Sequence, residues 1–255
     1  MKKEIKQPYS WLGVSIVLLI WMIVSEMERY SPYVLPSPEK VGNTFLKMVQ
    51  SGEIFVDIII SYGRILRGFT IAFLLAFLLA ILRVVWPMTE KWYRYLVEFF
   101  RNVPPLSMIP LLILWCGIGE TTKTIIIVLA SFFPMYLNII KGFTECDKGL
   151  LEVGEVFGYS RRKKITHILL PYALTDILVG MRIGMGYSWR AIIGAEMVAA
   201  STGLGHMILF AQRMSRTDKV IIGIFIIGIV GLVTDKLFET IMQKIFKGVA
   251  KNGWN

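Results

Sequence analysis

Six apolar segments divide this chain of 255 residues, and no fold that leaves them in water is open to it. They run from about Tyr9 to Val24, Ile54 to Val85, Leu106 to Gly119, Thr121 to Ile140, Ala173 to Ala199 and Val220 to Phe238. A backbone in hydrocarbon must satisfy its own hydrogen bonds, so segments of this length and composition predict helices. The expected fold class is all-α: a polytopic membrane protein with six transmembrane helices. A mean hydropathy of +0.60 and a charged content of 18% agree, since soluble domains carry about a quarter charged residues.

A net charge of +10 raises nucleic acid as a partner. The cations sit between apolar segments with no soluble basic module, so topology explains them and no nucleic acid is expected. Lys2, Lys3 and Lys6 place the N-terminus in the cytoplasm, and Ser25 to Glu28 is a poor signal-peptide cleavage site. Alternating sides then puts both termini and most of the 28 Lys and Arg on the cytoplasmic face. Three regions follow: residues 1–56, a first membrane helix with an external amphipathic segment; 57–242, the core; and 243–255, a basic tail. In the external segment Ser37-Pro38-Glu39 reads as a helix start, with Val41, Phe45, Leu46 and Val49 on one face.

Within the core, the charge-free stretch Gly68–Leu82 is short for a span, so Arg67 and Arg83 are expected to snorkel to opposite interfaces. Lys91 to Asn102 interleaves aromatics and cations and suits a helix lying at the interface. The next segment carries Pro104, Pro105 and Pro110 and reads as a broken, pathway-adjacent element with Trp115 on it. Pro134 predicts a kink in the fourth span, and Asn138 needs an interhelical partner. Gly180 and Gly184 form a GxxxG on the fifth span, which also carries Trp189 and allows close packing within the subunit or across a dimer. Glu196 is the one carboxylate well inside a span. Depth matching makes Arg64 or Arg67 its expected ion-pair partner, because Arg190 is too far along the same helix.

Catalytic signatures are missing. No GxxxxGK[ST], HExxH or GxSxG motif occurs, and neither a cofactor nor a metal site is expected. Cys116 and Cys146 fall on opposite sides of the membrane as free thiols, and His167 and His206 read as surface residues. An ion-coupled secondary transporter would need buried carboxylates, of which Glu196 is the single good candidate. A membrane enzyme is disfavoured by the missing motifs.

The longest polar interval between apolar segments is Glu152 to Pro171, EVGEVFGYSRRKKITHILLP. Gly158 suits a left-handed helix stop, a helix can restart at Tyr159-Ser160, and Pro171 fits only a break or a first turn. The spacing of Glu152, Gly158, Ile168, Leu170 and Pro171 resembles the cytoplasmic E-A-A-x3-G-x9-I-x-L-P loop of ATP-binding-cassette importer permeases. Val153 and Gly154 stand where that pattern has alanines. Between about Asp57 and Ile241, stretches such as RNVPPLSMIPLLILWCGIGE and LPYALTDILVGMRIGMGYSWRAIIGAEM resemble the nitrate/sulfonate/taurine-type permeases of these importers. The resemblance implies a homodimeric membrane domain, a cytoplasmic dimer of separate ATPase subunits, an extracytoplasmic substrate-binding protein and a bacterial inner-membrane location among lipid. Glu152, Glu155, Val156 and Phe157 would form the face that docks on the ATPase, with Gly158 setting the turn. Sulfonate, taurine or nitrate are the implied solutes, with thiamine-precursor pyrimidines, riboflavin or bicarbonate as alternatives.

Overall fold

A computed structural model describes residues 10–27, 31 and 33–245. The basic residues Lys2, Lys3, Lys6, Lys247 and Lys251, and the stretch from Glu28 to Tyr30, lie outside them. The described chain is helical throughout: α1 Ser10–Glu26, α2 Pro38–Gln50, α3 Glu53–Val85, α4 Glu90–Phe100, α5 Ile109–Cys116, α6 Glu120–Thr144, α7 Lys148–Val156, α8 Arg161–Lys164, α9 Leu170–Ala199, α10 Leu204–Arg213 and α11 Thr217–Ile245. Four helical stretches are long and apolar enough to cross a membrane: α3, α6, the run Arg161–Ala199 and α11 up to Met242. A fifth span arises if Pro87–Phe100 and Pro105–Cys116, bent by 90°, count as one. Of α1, 17 residues are described, about 25 Å of helix. Among the described residues, the six expected spans are met by four, or five with the bent pair, and by the apolar helix α1.

The core is the packing of α6 against α9 and α3. Half of the most apolar stretch of α6 is buried, against 28% for α3 and 22% for α11, so α6 is the central helix. Ile127, Met135 and Ile139 from α6 meet Ile65 and Ala72 from α3 and Ile177 and Ile192 from α9 in one cluster. Gly180 and Gly184 let α9 close on α6: a Cβ at Gly180 would stand 2.9 Å from the Asn138 Cβ, and one at Gly184 2.3 Å from the Met135 Cε. The GxxxG thus serves packing within the subunit. Asn138 needs no interhelical partner here, because its Nδ2 donates to the Pro134 carbonyl of its own helix at 2.8 Å.

The short helix α2 starts as its sequence dictates, with the Ser37 Oγ accepting from the Lys40 N–H at 3.3 Å and Pro38 in the first turn. Its buried residues are Val41 and Met48, whereas Phe45 and Leu46 are exposed, so the apolar face is rotated from the one expected. Thr44 fixes the rotation by donating to Asp218 of α11 at 2.8 Å.

The stretch expected at the interface forms α4, which packs one face on its neighbours and leaves Trp92, Tyr95 and Phe99 exposed. Leu96, Val97 and Phe100 of α4 share a groove with Val128, Leu129 and Phe132 of α6 and Leu75 of α3. The Tyr93 and Tyr136 hydroxyls meet at 3.0 Å. Of its cations, Arg94 pairs with Glu98 one turn along the same helix at 2.9 Å, and Glu90 at its start holds Arg83 of α3 at 3.0 Å. Pro110 does not break α5. It occupies the first turn, where its missing N–H leaves no helical bond unmade, and the break lies before it, around Pro104 and Pro105.

Candidate functional site

At one end of the bundle, α7 forms an exposed knuckle. Asp147 caps it by accepting from the Gly149 N–H at 2.8 Å. Its far end closes with paired bonds, Gly158 N–H to the Glu155 carbonyl and Tyr159 N–H to the Gly154 carbonyl, both 2.8 Å. This is a Schellman arrangement, and it needs Gly158 in the left-handed region, at φ +66°. Ser160 then caps the next helix by accepting from the Lys163 N–H at 3.4 Å. Gly154, where the resembling pattern has alanine, is buried against Ile168: a Cβ there would lie 2.6 Å from the Ile168 Cδ1. The glycine costs helix propensity but admits the brace between α7 and the helix behind it.

Pro171 falls in the first turn of α9, the second of its two expected places, and not at a break. Helix runs from Arg161 to Ala199 without interruption, and Ile165–Leu169 forms a π turn just before the proline. The wider turn accommodates a residue that cannot donate to the turn before it. Leu170 and Pro171 therefore sit inside one rod of 39 residues, about 58 Å long. Of the face expected on α7, Glu152, Val156 and Phe157 are exposed, the last two at 87% and 73%. Glu155 is exposed too and pairs with Lys164.

The opposite end of the bundle holds a buried charge network. Arg64 Nη1 donates to Glu196 Oε1 and to the Thr202 carbonyl, both at 2.7 Å. Its Nε and Nη2 face Glu120, with Nη2 to Oε1 at 2.8 Å, and Nη2 also donates to the Thr202 hydroxyl at 3.1 Å. Glu196 is 0% exposed and also meets the Ser61 Oγ at 2.9 Å and the Gly205 N–H at 3.0 Å. Lys123 adds a second cation to Glu120 at 2.6 Å. Charges survive burial only when paired and hydrogen-bonded, and every member here is. Gly203 closes the site at φ +107°; a Cβ there would stand 2.4 Å from Glu196 Oε1. Its N–H donates to Asp57 at 2.9 Å, so α3, α6, α9 and the turn into α10 meet at one point.

Arg67 is exposed and forms no ion pair among the described residues, leaving Arg64 as the arginine that meets Glu196. Sequence reasoning missed Glu120, whose signal was its place just after Gly119, at the depth of Arg64. It also missed Arg182, which pairs with Asp235 and Glu239 at 2.7 and 3.1 Å.

The residues expected beside a pathway divide into two sets. Gly180, Gly184 and Trp189 are committed to packing: Trp189 donates to the Ile227 carbonyl at 3.2 Å and lies against Gly231. On the broken element, Pro104, Pro110 and Trp115 are exposed and Pro105 is half-buried. Leu106, just after the two prolines, presses onto Gly194 of α9. The surface α9 leaves open is a stripe through Ile183, Tyr187 and Arg190, beside a groove of ≈ 370 Å³ between α9 and α11.

Comparison with known proteins assigns this arrangement a family. The family of binding-protein-dependent transport system inner membrane components matches residues 68–247. A Bacillus subtilis permease named for aliphatic sulfonate transport is 34% identical over 96% of this chain and 91% of its own length. The taurine transport system permease of Escherichia coli K12 is 29% identical over 91% of this chain and 86% of its own. A bicarbonate transport system permease of Synechocystis is 29% identical over 92% and 88%. Among solved structures, an amino acid ABC transporter shares the fold at a TM-score of 0.66 and 18% identity, covering 78% of this chain and 98% of the other. An inward-facing methionine ABC transporter follows at 0.54 and 16%, covering 78% and 97%.

Proposed function

The chain belongs to the binding-protein-dependent inner membrane components, the permeases of ATP-binding-cassette importers of the sulfonate, taurine and bicarbonate type, and on that premise we propose how it works. Two copies form the translocation pathway for a small solute that carries an anionic group, such as a sulfonate or taurine. ATP hydrolysis resides in separate subunits on the cytoplasmic side, where both termini of this chain also lie. A binding protein on the opposite side delivers the solute.

The observation that carries this reading is the α7 knuckle. Its exposed Val156 and Phe157 offer an apolar tip to a groove on an ATPase, flanked by the acidic Glu152. Gly154 and Ile168 join that tip to the 39-residue helix, so a push on α7 is delivered to a rod rather than to a loop. At the other end the rod carries Glu196 into the Arg64 network, which suits an element that moves as a body. Gly158→Val tests the assignment. A β-branched residue at φ +66° costs about 1–2 kcal/mol and spoils the helix stop. The variant should insert normally yet lose ATPase co-purification and ATP-driven uptake. Retention of both would count against α7 as the docking element.

A second reading of the solute has a specific basis, the bicarbonate permease among the relatives. Uptake of labelled bicarbonate against taurine, in cells carrying the chain with its ATPase and binding protein, separates the two.

A further inference from the structure

We propose that Arg190 faces the translocation pathway and gives it a preference for anions, a deepening that rests on the permease reading above. Every other face of α9 near this position is occupied. Gly180 and Gly184 lie on α6, Trp189 packs on α11 and Glu196 enters the Arg64 network. Arg190 is exposed and forms no ion pair among the described residues. Its guanidinium lies 5.2 Å from the centre of the Tyr187 ring, and its Nη2 hangs 3.8 Å from where a Cβ at Gly186 would be. The side chain thus folds back along the helix, as side chains on helices do.

That direction keeps the guanidinium at depth on the helix. Arg190 stands nine residues before Ala199, about 13 Å from the nearer end of the helix, and points away from that end. A snorkelling arginine would reach towards it. An arginine left in hydrocarbon is costly, so this face of α9 meets water or protein.

The broken helix supplies an independent argument. The stretch between α4 and α5 leaves backbone outside regular helix, and its Leu106 rests on Gly194, one turn from Arg190 on the same side of α9. Irregular backbone at membrane depth is tolerated beside a water-filled cavity or inside protein, not against lipid. Arg190 and this break therefore mark one non-lipid side, and the ≈ 370 Å³ groove beside Arg190 has the dimensions of a small-solute site. The groove's other arginine, Arg182, is engaged by Asp235 and Glu239, whereas Arg190 has an aromatic face beside it and no ion pair among the described residues. A guanidinium held this way presents a fork of donors suited to a sulfonate or carboxylate.

The test reads the field of Arg190 directly and needs no knowledge of the solute. In a Cys116→Ser, Cys146→Ala background, Gly186→Cys is exposed in membranes to a sulfonate-bearing methanethiosulfonate and to its trimethylammonium counterpart. Both should react, the anionic reagent preferentially. Arg190→Gln should lower the anionic-to-cationic rate ratio about tenfold, as expected for loss of one charge at close range in a partly aqueous site. Arg190→Lys should keep most of the ratio. A thiol at 186 that reacts with neither reagent, or a ratio indifferent to Arg190→Gln, overturns the proposal. ATPase co-purification is scored in parallel: its absence with the ratio effect intact would overturn the importer reading and leave the anion preference of Arg190 standing.

Discussion

Arg64 divides its guanidinium between two carboxylates, and this makes the two ends of its ion pair unequal. Glu196, wholly buried, depends on Arg64 for its charge partner, whereas Arg64 keeps Glu120 if Glu196 is lost. Arg64→Gln should therefore destabilise by about 3–5 kcal/mol, the usual cost of stranding a buried charge. Glu196→Gln should cost less, about 1–3 kcal/mol, because hydrogen bonds from Ser61 and Gly205 are weakened but no charge is orphaned. The double variant should recover much of the Arg64→Gln loss, a coupling readable in thermal unfolding and membrane abundance. Additive losses would show that the pair is not energetically linked. Depth along opposed helices made Arg64 a readable partner for Glu196. Ser61, Thr202 and Asp57 were not readable, because short polar side chains and turn carbonyls carry no sign of the helix they will face.

At the scale of elements, small residues decide which helices can approach. Gly180→Leu should force α9 off α6, since even a Cβ would come within 3.3 Å of the Met135 carbonyl oxygen. Overpacking of this kind costs about 1–3 kcal/mol or more. It should appear as a lower melting temperature in detergent, whereas Ile183→Leu on the open stripe should leave the melting temperature unchanged. The α7 turn was legible because its signals are local: a left-handed glycine, a serine cap and fixed spacing. The neighbour of α4 was not, because an amphipathic pattern with aromatics does not name the helix its packed face will meet. Its Glu90 meets Arg83 of α3, a tertiary contact that periodicity does not contain, whereas Arg94–Glu98 is a pair within the helix.

For the whole molecule, the two cysteines report on opposite ends without engineering. Cys116 is exposed at the end of α5 and Cys146 is buried beside α7. Burial beside Asp147 also holds the Cys146 thiol above its usual pKa, which slows its reaction further. A water-soluble thiol reagent should therefore label the intact chain once, at Cys116, and label Cys146 only on denaturation, as mass spectrometry would show. Equal labelling of both would contradict the packing around α7. The π turn at Ile165–Leu169 has a consequence for how such a chain can change over time. A π turn is equivalent to an α-helix that has gained a single residue. Deleting one residue there would restore regular winding and keep every later side chain on its present side. It would also drive the Pro171 ring into the carbonyl one turn back, so the extra residue can be lost only after, or together with, the proline.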